Sequence, residues 1–351
     1  MATGGYKFGG NVNIGHNPSF APELTGSHVG NPHSNIVMGY NNNVEGNYNA
    51  AFGTLNTISG TNDAQANFVA GYQNTLKGGV SSVMLGYGGT THQSGQFSVA
   101  LGYAPEVTAN GYAGIAMGAS KADGTLAIAM GYGSTGSASY TIAMGMSAKA
   151  TATTAIALQG NANADSSIAI GGTSSGDSSI AIGNGASAQT SGSIALGKGS
   201  MQAGRLGGFR LNANGGRSIS DSYQICQALG TTTDATPTKI YLASGGSTDG
   251  NLVIGTSTTV QFTCWVQASK NDSDTIGACY KLEGAVTRSN SDVANPAFLG
   301  SVSKTVIHES DASMDVNITV NNTNKCLDIE VTGIAATQLG WLATWHLHQN
   351  Q

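Results

Sequence analysis

A short apolar word, closed by glycine in eleven of its twelve copies, recurs between residues 36 and 197 and constrains this chain more than any other feature. It begins as Ile36-Val37-Met38-Gly39, Ala50-Ala51-Phe52-Gly53 and Phe68-Val69-Ala70-Gly71, and ends as Ile168-Ala169-Ile170-Gly171, Ile180-Ala181-Ile182-Gly183 and Ile194-Ala195-Leu196-Gly197. The fourth positions are separated by 14, 18, 15, 16, 16, 13, 14, 14, 12, 12 and 14 residues. Such a period is too short for a strand plus a helix but holds two short strands and two tight turns. Each repeat therefore predicts one narrow coil of a parallel β-solenoid. Successive strand residues point to opposite faces, so Ile-Ala-Ile puts two large side chains on one face and a small one on the other. With neither face polar, one side is expected to close the coil. The other is expected to meet a second sheet, for which alanine permits a close approach and an identical chain is the simplest source. A second strand of small residues separates the words, as in Ser147-Ala148-Lys149-Ala150, Asn161-Ala162-Asn163-Ala164 and Ala186-Ser187-Ala188. Glycine after the word supplies turn conformations that a Cβ resists.

Composition narrows the class. Asp, Glu, Lys and Arg make up 9% of the chain, against roughly a quarter in an ordinary soluble domain. Fifty-one glycines would suit a disordered chain, but 40% of residues are apolar and periodically placed, which argues for order. A net charge of −5 lacks the basic balance that holds a phosphate backbone, so no nucleic-acid partner is expected. No run of 18 apolar residues occurs, and Met1 to Lys7 lacks the charged start and apolar run of a secretory signal. The expectation is a protein that does not span a membrane and is assembled in the cytoplasm. Cys226, Cys264, Cys279 and Cys326 lie 38, 15 and 47 residues apart with no CxxC pair, and free thiols are expected.

All three tryptophans follow residue 206, whereas residues 1–205 hold 37 of the 51 glycines and nine of the 12 tyrosines. Four segments follow: an attachment segment over 1–35, a β-roll shaft over 36–205, a glycine-rich neck over 206–222 and a knob over 223–351. In the knob, apolar residues alternate at Val260, Phe262, Cys264 and Val266, at Tyr280, Leu282 and Val286, at Val316, Ile318 and Val320, and at Leu327, Ile329 and Val331. With further strands near 223–229, 239–243, 301–308 and 340–348, about eight antiparallel strands are predicted, a β-sandwich of jelly-roll type. The fold class is all-β.

Ser167-Ile168-Ala169-Ile170-Gly171, Ser179-Ile180-Ala181-Ile182-Gly183-Asn184-Gly185-Ala186-Ser187-Ala188 and Ser193-Ile194-Ala195-Leu196-Gly197 resemble the head repeats of YadA-like trimeric autotransporter adhesins. The resemblance covers roughly residues 110–200, more loosely 36–110, and implies a left-handed parallel β-roll with three chains side by side. Lys281 to Arg288, Leu327 to Gly333 and Trp341 to Thr344 are similar to a C-terminal knob of cyanophage and marine-phage structural proteins. Against the pattern of the adhesin family, this chain is expected to lack a signal peptide, a long heptad stalk and C-terminal membrane-anchor strands. A fibre made in a host cytosol and released by lysis needs none. A homotrimeric phage tail fibre in the virion is therefore expected, holding other virion proteins at its N-terminus and a host polysaccharide or outer-membrane receptor at its knob. A capsid head fibre and a bacterial trimeric surface adhesin are the alternatives.

Catalytic and cofactor signatures are weak. Gly183-Asn184-Gly185 and Gly197-Lys198-Gly199 sit inside the repeat rather than between a strand and a helix, unlike phosphate loops. Sugar-cleaving tailspikes need paired carboxylates, and residues 1–205 offer seven scattered acids. No enzyme and no cofactor are expected. Asp311 and Asp315 read as a solvated loop rather than a calcium site. Tyrosines follow the repeat glycine at Tyr40, Tyr72, Tyr87, Tyr103 and Tyr132, a stacked ladder that reads as packing before sugar binding. His346 and His348 alternate onto one face of the last strand, where three chains would bring six imidazoles to an axis. A solvated edge is the plainer reading, and no metal is assigned. Trp265 falls opposite Val260, Phe262, Cys264 and Val266. Buried between chains it needs no function; exposed, it suits stacking on a sugar ring, with Asn271, Asp272 and Asp274 of the adjoining loop as hydrogen-bonding partners.

Overall fold

The computed structural model describes residues 12–14, 35–60, 64–92, 96–108, 110–202, 208–211, 222–242, 252–270, 273–290 and 293–350. Among them every regular element is a strand. A β-solenoid of about 12 turns is followed by antiparallel sheets, and the chain divides into two compact units, Met1–Gly171 and Gly172–Gln351.

In the first unit the words form one parallel ladder. Ile36–Tyr40 pairs with Ala50–Thr54, that strand with Phe68–Tyr72, and so on to Ile156–Leu158 beside Ile168–Ile170, glycine opposite glycine where both strands reach it. The small-residue strands form a second parallel ladder, from Asn43–Val44 beside Thr57–Ser59 to Lys149–Ala150 beside Asn161–Ala162. A strand at Val12–Ile14 extends the first ladder, Val12 opposite Ile36. Its sequence, Val12-Asn13-Ile14-Gly15, is a variant of the word inside the stretch read as an attachment segment.

The face assignment differs from expectation. The central residue of the word points into the coil, and Ala51, Ala100, Ala116, Ala129, Ala143, Ala157 and Ala169 are fully buried there. The large residues on either side point out: Ile36 is 46% exposed, Phe68 40% and Met144 38%. The second sheet that alanine approaches is the other strand of its own coil. Coil length sets the choice. Where spacings reach 15 to 18 residues the interior holds Ile58, Val69, Leu76 and Met84; the first coil, with a spacing of 14, holds Val37 and Val44; beyond Ala116, where spacings are 12 to 14, the buried hydrophobes of the described coils are all alanine. A shorter coil leaves a narrower lumen, and a close-packed interior cannot absorb extra methylenes.

Turns are secured by stacked amides. Buried Asn56 donates from Nδ2 to the Gly71 carbonyl (2.9 Å) and to Oδ1 of Asn42 (3.0 Å). Its own Oδ1 accepts from the backbone and side-chain nitrogens of Asn74, at 3.2 and 3.0 Å. A buried turn must find partners for its backbone polar groups, and this ladder supplies them.

The second unit carries the same two ladders, as in Ile180–Ile182 beside Ile194–Leu196 and Thr173–Ser174 beside Ser187–Ala188. Two antiparallel sheets follow. The larger has the spatial order Ser222–Thr232, Leu339–Asn350, Thr258–Lys270, Ser273–Arg288 and Ser303–Glu309. In the smaller, Cys326–Thr332 lies between Asp315–Asn321 on one side and Thr238–Ile240 and Leu252–Val253 on the other. Phe262, Val266, Tyr280, Trp341 and Trp345 from the large sheet share one core with Leu252, Val316, Ile318, Ile329 and Val331 from the small sheet and its flanks. The result is a β-sandwich. Trp341 satisfies its indole by donating Nε1–H to Thr232 Oγ1 at 2.9 Å, as a buried tryptophan must.

Candidate functional site

Two outward surfaces carry the unexplained side chains. Within each unit the first and third residues of successive words form two outward apolar columns, with Ile36, Phe68, Leu85, Met144 and Ile170 in the first unit and Ile182 in the second each more than a third exposed. In-register parallel pairing stacks like on like, as Ile128 beside Ile142 and Met130 beside Met144. Single chains rarely show water an apolar patch this extended without a partner for it.

Beside these columns, Tyr72, Tyr87 and Tyr103 stack with centroids 5.4 and 5.3 Å apart and planes inclined by 16° and 2°. Tyr40 is set apart, because its register neighbour is Thr54. The coil after Tyr103 places Ala119 behind its glycine, so the run ends before Tyr132.

The second surface is the outer face of the large sandwich sheet. Trp265 lies there as expected, 39% exposed, opposite Thr344 on one side and Lys281 on the other. The Lys281 ammonium sits 5.6 Å from the indole centroid and 2.9 Å from Glu283, a cation–π contact combined with a surface ion pair. His346 and His348 share this face with Tyr223, whose hydroxyl lies 2.6 Å from His346 Nδ1 and whose ring centroid is 4.9 Å from that of His348. Sequence reasoning missed Tyr223, 123 residues from His346; only strand register joins them. Among the described residues no cluster of three metal-ligating side chains occurs.

A depression of about 840 Å³ indents this face beside Leu229, Tyr241, Gln267, Cys279 and Leu342. Asn271 and Asp272 lie outside the described residues, and Asp274 is described only as part of the strand Ser273–Arg288. Asp311 turns back on Ser313, whose backbone and side-chain hydrogen bonds hold its carboxyl below the ordinary value. Asp315 pairs with Lys304 at 2.5 Å. The two carboxylates are thus engaged separately. The four cysteines are thiols outside any disulfide, Cys279 half-buried and the others buried.

Coils built from alternating large and small residues, closed by glycine, now have a counterpart. Residues 122–148 and 174–200 match the YadA head domain repeat. These two YadA-like copies fall on the alanine-lined coils, and their presence points to an adhesin-like fibre. No curated protein matches the chain. No helix among the described residues is long and apolar enough to cross a membrane.

Proposed function

We propose that this chain is the subunit of a homotrimeric bacteriophage fibre, a virion protein that holds other virion proteins through its N-terminal segment and a host-surface receptor through its C-terminal sandwich. Its work is binding rather than catalysis. The pair of outward apolar columns on the YadA-like coils carries this reading. Three solenoids facing one another would cover those columns with identical columns, and the resemblance to YadA-like heads supplies the number three. The receptor would be a cell-surface polysaccharide or an outer-membrane protein, and the fibre would project from a tail. A capsid head fibre is the variant reading. The YadA match itself favours a second reading, a bacterial trimeric surface adhesin.

Sedimentation equilibrium of the purified chain tests the association. Three copies are expected, and the double variant Ile142→Asp, Ile156→Asp, which charges one column, is expected to sediment as a smaller species. A monomeric wild type overturns the proposal. Antibody raised against the protein then separates the readings by imaging. Label on released particles supports a phage fibre, and its position on tail or capsid distinguishes the variants. Label confined to intact cells supports the adhesin.

A further inference from the structure

The strand Phe209–Leu211 belongs to both constructions. It pairs in parallel with the word strand Ile194–Leu196 and antiparallel with Ser222–Thr232. Because paired residues in a sheet project to one side, the register carries the outward face of the coils into the sandwich. One row runs Ile194, Phe209, Ile225, His346, and the next runs Leu196, Leu211, Tyr223, His348. The apolar columns of the solenoid and the outer face of the large sandwich sheet are therefore one continuous surface within Gly172–Gln351.

The composition of that surface agrees. On the described outward positions of its four long strands, Lys281 and Glu283 are the only Asp, Glu, Lys or Arg residues, and they neutralise each other. Leu229 is 55% exposed, opposite Leu342, which in turn faces Gln267, itself opposite Cys279. The small sheet carries Lys239, Asp315, Asn317, Thr319 and Glu330 at non-core positions instead. Unpaired charge is thus scarce on the described outward positions of the four long strands, with Lys239 of the small sheet reaching the rim of the depression. Depletion of charge around aromatic and aliphatic anchors marks the centre of a protein interface rather than a wet surface.

We infer that the outer face of the large sandwich sheet is covered by further copies of this chain, as the continuation of the interface proposed for the coils, and that Trp265, Leu229 and Leu342 are inter-chain anchors rather than receptor contacts. This rests on the association proposed above. The receptor contact then falls on the loops or on the small sheet.

Cys279 reports on it, being half-buried beside the depression this face would lose on assembly. The full chain would be treated with iodoacetamide and its alkylation at Cys279 followed by mass spectrometry, against a cysteine placed on the charged sheet by Thr319→Cys. In the trimer Cys279 is expected to react at least tenfold more slowly than the cysteine at 319. Leu229→Glu, at a position already exposed in one chain, is expected to raise the Cys279 rate tenfold or more while near-ultraviolet dichroism shows Trp341 and Trp345 still packed. Loss of the trimer in that variant would equally support an interface at Leu229. Leu342→Glu serves as the second variant on the same row. A trimeric wild type whose Cys279 rate is unchanged by both substitutions overturns this inference and leaves the coil association standing. A monomeric wild type overturns both.

Discussion

A Cβ built on Gly71 would stand 1.9 Å from the carbonyl oxygen of Gly86, its register partner one coil along. Gly71 also has φ near +125°, a region that side chains avoid. Gly88 has positive φ as well, at +64°, but open space around it. Gly71→Ala is therefore expected to cost more than about 3 kcal/mol, with strain and backbone clash adding, whereas Gly88→Ala costs about 1–2 kcal/mol from conformation alone. Chemical denaturation of the two variants side by side checks the contrast. Equal costs would mean that coil spacing relaxes around an added methyl group.

Asn56 bonds to the coil before it and the coil after it. Asn56→Ala leaves the Gly71 carbonyl and the Asn74 amide without their buried partner, at about 1–3 kcal/mol for each unsatisfied group. A loss of about 3 kcal/mol is expected in denaturant titration.

Tyr87 stacks on both Tyr72 and Tyr103. Tyr87→Ala removes two ring contacts and Tyr103→Ala one. At about 0.5–1.5 kcal/mol per pair, with exposure keeping each near the lower end, the first variant should lose about twice the stability of the second. The same thermal melts that give the ratio would show whether the stack matters to the fold.

Lys239 lies 2.5 Å from Asp328, a carboxylate 4% exposed that also accepts from Asn321. The hydrogen bond to Asp328 holds the lysine above its ordinary pKa. Its contribution to stability is therefore complete below the unfolded lysine value of about 10.4 and is lost as pH rises through the folded one. Burial likewise pushes the Tyr280 phenol up, which adds a loss of the same sign. Comparing wild type with Lys239→Met isolates the lysine: the variant should be less stable at pH 7, with Asp328 left without its cation, and should lose less on going to pH 11.

Burial raises the Cys264 thiol, with Cys226 beside it adding to the shift. Since the thiolate is the reactive form, Cys226, Cys264 and Cys326 should resist iodoacetamide at pH 8 until the sandwich unfolds. Peptide mass spectrometry before and after denaturation measures this, and fast labelling of Cys264 in folded protein would contradict the core described above.

The repeat and both ladders from residue 36 onward were legible because period and glycine placement are local properties of the sequence. Which face of Ile-Ala-Ile turns inward was not. Alternation is symmetric with respect to inside and outside, and only the width of the coil breaks the tie. In the sandwich, alternation at Val260 to Val266 identified the inward face and so put Trp265 outward. The neighbours of Trp265 depend on the pairing of strands distant in sequence, as does the contact of Tyr223 with His346 and His348. Val12–Ile14 escaped notice because its nearest word partner, Ile36–Met38, lies 24 residues on, outside the period that reveals the others.

The strand Phe209–Leu211 has a bearing on how such a protein can change over time. An open solenoid end offers a ready template to the next copy of itself, and end-to-end growth is the hazard of every repeat array. Here that edge is taken by a strand running the other way, Ser222–Thr232, which no further coil can imitate. Whole coils can be gained or lost upstream without disturbing this junction, because each coil touches only its neighbours. Length is thereby a variable that duplication can tune in steps of one repeat, while the terminus that stops polymerisation stays the same.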